Sequence, residues 1–233
     1  MKNTTESMTS MPKNDLNVLF EDESITVCIK PKGMLSEDAQ MGEKGIIGFL
    51  SDRAGKKLHL LHRLDRNVGG VMVFANNKKS AAILSDDIAN GRFFKEYLAV
   101  TDGAPEEDSG VYKDLLFKDS KKNRSYVVNR VRKGVKEASL EYRVLHKKDG
   151  KAVVRVRLHT GRTHQIRVQF ASRKTPLTGD VKYGSRDRTS ADIALHSCSI
   201  SFCHPVTKEK MCFESQPDFD DYPWNIFGGV YNG

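Results

Sequence analysis

The stretch Leu61-His62-Arg63-Leu64-Asp65-Arg66 sets one carboxylate among arginines and a histidine, directly before Gly69-Gly70 and the apolar run Val71-Met72-Val73-Phe74-Ala75. Nearby positive charge favours the ionised carboxylate. An acid held as its anion is poorly suited to proton shuttling, which normally wants a group titrating near the working pH. It suits a nucleophile, or a fixed charge that stabilises an electron-poor carbon. Taken alone, Asp65 reads better as a surface ion pair, which is common and contributes little.

A second stretch changes that balance. Thr160-Gly161-Arg162-Thr163-His164-Gln165-Ile166-Arg167 lies far along the chain and supplies further cations. With Thr163 capping a helix that follows Gly161, the amides near His164 and Gln165 face outward and form a seat for phosphate. Arg167 then lies one turn inside, placed to reach a carboxylate on another loop. The simpler alternative is that Gln165 and Arg167 only tie up strands and loops of their own sheet. Two arginines, a histidine, a glycine turn and the basic balance of the chain favour the functional reading, in which both stretches meet as one site.

The chain of 233 residues has room for one large domain or two small ones. Its 38 basic side chains against 30 acidic ones give a net charge of +8, which suits a polyanion partner, nucleic acid first, and is also compatible with solubility alone. No apolar run approaches the roughly 20 residues that span a bilayer. The polar segment 1–14 has no apolar core of a secretory signal and is expected to be a flexible tail, with cytoplasmic residence and no membrane partner. Cys28, Cys198, Cys203 and Cys212 are too few for a disulfide framework, and the spacing of Cys198, Cys203, His204 and Cys212 does not match paired zinc knuckles, so no metal is expected.

Period-two alternation marks strands at Ile25–Ile29, Phe93–Val100, Ala138–Val144, Ala152–Leu158 and Ile193–Phe202, with shorter apolar strands at Val18–Phe20 and Val71–Ala75. On the second of these, Phe93, Lys95, Tyr97 and Ala99 share one face. Helical spacing appears at Ile46–Leu50, at Ala81, Leu84 and Ile88 with Gly91 as the stop, and at Ile166 and Phe170. Strands dominate, with no regular βαβ repeat and no linker. The expected fold is therefore α+β, a single domain with a central mixed, mostly antiparallel sheet flanked by helices and loops. The basic run Lys118–Lys136 around Tyr126 reads first as a solvated hairpin and second as an RNA-contacting arm.

Several segments occur together in one order: Ile25–Gly33 (ITVCIKPKG), His62-Arg63-Leu64-Asp65, Phe94–Val100 (FKEYLAV), Gly161–Val168 (GRTHQIRV), Pro176–Asp180 with Tyr183-Gly184, and Leu195-His196 leading to Phe202-Cys203-His204-Pro205. In these the chain resembles the RluA-type RNA pseudouridine synthases from near residue 17 to about residue 215. The resemblance implies a catalytic domain over 15–233, with no room for the family's optional N-terminal RNA-binding module. It implies a cofactor-free isomerase, monomeric and cytoplasmic, that converts uridine in ribosomal RNA or tRNA to pseudouridine. Asp65 would attack or support the ribose, Arg167 would pair with Asp65, and Tyr97 would line the base pocket. Arg63 would hold the RNA open around a flipped-out uridine, since base chemistry requires extrusion from the stack. His62, Arg66, Arg162, His164 and Gln165 are the further residues expected to contact RNA.

Two departures from the family pattern stand out. Asn67-Val68-Gly69-Gly70 replaces the usual continuation after the aspartate, removing two hydroxyls that could fix the loop, and Gln169 stands where a histidine is common. The first motivates an alternative reading, a catalytically impaired RNA-binding or ribosome-assembly protein with the same fold. A glycoside-type hydrolase is a weaker reading, because it needs a second acid near Asp65 and no motif supplies one.

Overall fold

The computed structural model describes residues 16–228 except 41 and 191, so the expected tail over 1–14 lies outside the described residues. One eleven-stranded sheet organises the chain, with the order β1-β2-β4-β10-β5-β9-β8-β6-β7, β11 paired to β10 and β3 paired to β4. The strands are β1 (Val18–Glu21), β2 (Ile25–Lys30), β3 (His59–Leu60), β4 (Gly69–Ala75), β5 (Phe94–Asp102), β6 (Ser109–Asp119), β7 (Arg124–Val128), β8 (Val135–Lys148), β9 (Lys151–Leu158), β10 (Leu195–Cys203) and β11 (Lys210–Glu214). The helices are α1 (Ile46–Ala54), α2 (Lys78–Ala89) and α3 (Gln165–Ser172). Among the named strands only β4 and β10 run parallel; the other pairs are antiparallel. The expected mixed, mostly antiparallel α+β sheet is what forms.

The apolar run of β4 lacks alternation because both of its faces are covered. Met72 and Phe74 pack with Ile46 and Leu50 of α1 on one side, while Val71 and Val73 pack with Leu84 of α2 on the other. The first face continues through Tyr97, Val156 and Tyr142 to Ile166 and Phe170 of α3. A C-terminal segment covers Leu98, Val100 and Val153 on the reverse with Trp224 and Phe227. No helix among the described residues is long and apolar enough to cross a membrane.

The parallel β4–β10 pair sets Gly70 against Ser197. Gly70 has φ of 118°, and a Cβ there would lie 2.2 Å from the Ser197 carbonyl oxygen, so only glycine lets these strands meet. Periodicity does not reveal β3, which is two residues long, or β11, a marginal strand of alternating exposed and half-buried residues.

The basic run takes in the end of β6, the turn and β7 of a hairpin whose turn Lys121–Asn123 is exposed. Its edge strand β7 is also tied to the loop before α3: Ser125 Oγ donates to the Thr163 carbonyl at 2.6 Å.

Candidate active site

Asp65 lies in the loop between β3 and β4. Ser36 grips that loop through its hydroxyl, which donates to the Leu64 carbonyl at 2.8 Å and accepts from the Leu64 amide at 3.0 Å. Lys30, fully buried at the end of β2, donates to the carbonyls of Pro31, Met34 and Arg66 at 2.8, 2.8 and 3.1 Å. Burial lowers the Lys30 pKa to about 8, with the Asp65 charge opposing. The Asp65 loop, which lacks the two hydroxyls, is thus held by a lysine at the end of β2 and a serine from the segment after it. Val68 fills its place as a buried apolar side chain, 2% exposed.

The late motif arrives through α3, whose third residue is Arg167. Its Nη1 donates to Asp65 Oδ2 at 2.6 Å across 102 residues of sequence. Its Nε and Nη2 grip both oxygens of Asp180 at 2.7 and 3.0 Å. Burial opposes the Arg167 charge, but the hydrogen bond to Asp180 and the charges of Asp180 and Asp65 outweigh it and hold the guanidinium above its ordinary range. Asp180 is 1% exposed, and its placement depends on Gly179, where φ is 78° and a Cβ would come within 2.2 Å of the Asp192 carbonyl oxygen. The Tyr183 ring centre lies 5.1 Å from the Arg167 guanidinium carbon, completing the setting.

His164 sits at the mouth of α3 in the left-handed region, φ 54°. The Tyr183 hydroxyl accepts from the Ser125 amide at 2.8 Å, leaving its proton free for His164 Nδ1 at 2.9 Å. His164 Nε2 then faces Asp65 Oδ2 at 3.7 Å. Burial lowers the His164 pKa, against the pull of Asp65.

Asp65, Arg167 and His164 line one cleft of about 600 Å³, as do Tyr97, His62, Arg63 and Arg162. Tyr97 is 5% exposed, and burial followed by the Asp65 charge pushes its phenol above the usual range, so it stays protonated near neutral pH. The cleft brings together all the expected site residues except Arg66.

Four expectations need correction. Arg63 and Arg66 do not surround Asp65 with charge; Arg63 pairs with Glu37, and Arg66 pairs with both oxygens of Glu43 at 2.6 and 2.7 Å. His62 contributes no charge either, because burial and then Lys95 push its pKa down to about 3. Thr163 is not the cap of α3; His164 holds that position without a side-chain hydrogen bond, and the Gln165 amide, expected to face outward, is used on the Arg162 carbonyl at 3.1 Å. Gln165 is 3% exposed and its amide ties Thr160, Arg162 and Ser139 together, which makes it a support of the loop. Arg162 is exposed, with Nε on the Glu137 carbonyl at 2.9 Å. Gln169 lies away from Asp65, donating to Asp114 at 2.6 Å.

Sequence reasoning did not assign roles to Asp180, Tyr183, Lys30 or Ser36. The first three stand inside the ordered segments quoted above, which was their available signal; Ser36 had none.

Comparison with known proteins identifies the class to which this sheet and cleft belong. The RNA pseudouridylate synthase family model matches residues 24–172. The chain belongs to this family, in its RluA-type branch, whose members isomerise uridine in RNA to pseudouridine. It is 30% identical over 221 residues to the uncharacterised RNA pseudouridine synthase YhcT of Bacillus subtilis, covering 91% of this chain and 72% of that one. It is 31% identical over 214 residues to ribosomal large subunit pseudouridine synthase D of Xanthomonas campestris, covering 83% and 63%. The human RNA pseudouridylate synthase domain containing 4 superposes with a TM-score of 0.72 at 24% identity, covering 87% of this chain and 89% of that one, a likeness of fold.

Proposed function

We propose that the protein isomerises specific uridines in ribosomal RNA or tRNA, with Asp65 as nucleophile on a flipped-out nucleotide. The carrying observation is the unequal use of the two Asp65 oxygens. Oδ2 is held by Arg167 at 2.6 Å, while Oδ1 accepts no hydrogen bond from the described residues and the side chain remains 30% exposed in the cleft. One oxygen is fixed and the other is available.

In this reading Oδ1 bonds to ribose C1′ as the C1′–N1 bond breaks, and its electron pair leaves with uracil. The base turns on the Tyr97 ring until C5 faces C1′. C5 then attacks, Asp65 departs with its bonding pair, C5 loses its proton and N1 gains one. Tyr97, kept protonated by burial, serves as an apolar floor with a neutral hydroxyl. Arg63, exposed at the cleft edge, is available to fill the space the uridine leaves once it releases Glu37. Extrusion favours targets in loops and bulges, where unstacking costs least.

The test is incubation with ribosomal RNA and tRNA and chemical mapping of pseudouridine. Wild-type protein forms it without added cofactor, and Asp65→Asn lowers turnover by at least roughly a thousandfold with an unchanged unfolding midpoint. Salt-sensitive RNA binding without pseudouridine in the wild type would establish the impaired RNA-binding alternative instead.

A further inference from the structure

Lys95 stands in the same cleft and is 8% exposed. Among the described residues it makes no hydrogen bond or ion pair. Lys30, the other deeply buried lysine of this region, satisfies its ammonium with three carbonyls. A largely buried ammonium without such partners is costly to hold, and that of Lys95, which is not among the fully buried polar atoms, keeps its access to the cleft. Burial pushes the Lys95 pKa down, and no neighbouring carboxylate offsets it. Asp65 is the one carboxylate among the described residues lining the cleft, and Arg167 already holds it. The described residues therefore supply no anion for Lys95.

The position of Lys95 narrows what would supply one. It is two residues from Tyr97 on β5, on the same face, and so about 6.6 Å away along the strand. That separation is comparable with the reach from the base of a nucleotide to its backbone phosphate. Gly161 flanks the ammonium; a Cβ there would stand 3.5 Å from Nζ, an ordinary contact distance. A base carbonyl offers only partial charge, whereas a phosphate offers a full one, and lysine binds phosphate as a point charge.

We propose that Lys95 binds a backbone phosphate of the nucleotide whose base lies on Tyr97, fixing the register of the strand in the cleft. This rests on the reading above, that a uridine of RNA enters this cleft. Lys95 is on this account a substrate-binding residue. It acts before bond breaking, by choosing how far the strand slides past Asp65.

The experiment uses the full chain carrying Asp65→Asn, so that RNA is held without turnover, and a labelled oligouridylate as probe. Binding is followed by fluorescence anisotropy from about 50 to 200 mM KCl, a range over which phosphate contacts are resolved by counterion release. Adding Lys95→Met is expected to flatten the slope of log K against log salt by about 0.7, the value of one single-strand phosphate contact, and Lys95→Arg is expected to restore it. Equal slopes for the lysine and methionine proteins would overturn the proposal. A second measurement needs no change at Lys95. One of uridine 5′- and 3′-monophosphate, the isomer whose phosphate reaches Lys95, should displace the probe at roughly tenfold lower concentration than uridine, and equal competition by all three would overturn it as well. The two readings fail separately: an unchanged slope removes the phosphate role alone, and pseudouridine formation by Asp65→Asn removes the nucleophile alone.

Discussion

Among the described residues two cations shielded from solvent each bridge two carboxylates, and they are completed differently. Lys151 on β9 reaches Asp102 at 2.7 Å and Asp187 at 2.8 Å. Thr178 and Ser185 hydroxyls add bonds to Asp102 at 2.8 and 2.5 Å. The Asp187 oxygens are taken by Lys151, the Tyr222 hydroxyl and the Thr189 amide. Every oxygen in that cluster has a donor. Arg167 bridges Asp180 and Asp65 in a similar way, yet one oxygen of Asp65 is left without a partner among the described residues. Saturated charge ties the C-terminal segment to the sheet; the unfinished cluster opens on a cleft. A buried cation between acids is therefore no sign of function by itself, and the unused acceptor is what separates the two.

Arg167→Met should show the largest effect. It strands Asp180, 1% exposed, without its cation, costing about 3–5 kcal/mol in urea unfolding. Turnover should fall by roughly 10²–10³-fold as Asp65 loses its fixed partner. Retained turnover would place the reacting anion elsewhere.

Lys151→Met should cost less, roughly 2–3 kcal/mol, because its partners are partly solvated. Pseudouridine formation per folded molecule should change by less than about threefold. Thr178 and Ser185 lie in the loop that carries Asp180, so a large loss of turnover would show the two clusters to be one device.

The pH dependence provides a third distinction. His62 and His196 are pushed down to about 3 and about 4, burial first and a neighbouring lysine second, from an ordinary 6.5. The unfolded chain takes up these protons below pH 6.5 while the fold does not, so stability falls as pH drops from there towards 4. Asp187 behaves differently. Burial opposes its anion, but hydrogen bonds from Lys151 and Tyr222 outweigh that and hold its pKa below the ordinary 3.8. Its contribution is present above 3.8 and lost only as pH falls through the depressed value. Urea midpoints measured across pH 5–8 should drop at the acid end, while the gap between wild type and Asp187→Asn stays constant. A gap that shrinks at pH 5 would mean the saturated cluster titrates there.

The smallest effect is expected at Arg66→Ala. Its pair with Glu43 is exposed, so the unfolding free energy should change by less than about 1 kcal/mol. A larger change would mean that Arg66 also acts on the Asp65 loop.

Much of this architecture could be read along the chain. Alternation placed β2, β5, β8, β9 and β10, and helical spacing placed α1, α2 and α3, because side-chain direction repeats within a few residues. Lys95 and Tyr97 were set on one face by the same rule. Asp65, Tyr97 and Arg167 were singled out by residue type and by ordered resemblance. The partners of Asp65 could not be read that way. Arg63 and Arg66 stand next to it in sequence, but turn to Glu37 and Glu43.

Residue type and local spacing determined which side chains could react and on which elements they ride. Only the tertiary structure decided which charge meets which, because Arg167, Asp180, Lys30 and Ser36 reach the Asp65 loop from separate segments. Proximity across 102 residues is set by how strands pair and helices pack, and no local period records it. Among the described residues the same packing left Lys95 buried without an anion and one oxygen of Asp65 without a donor.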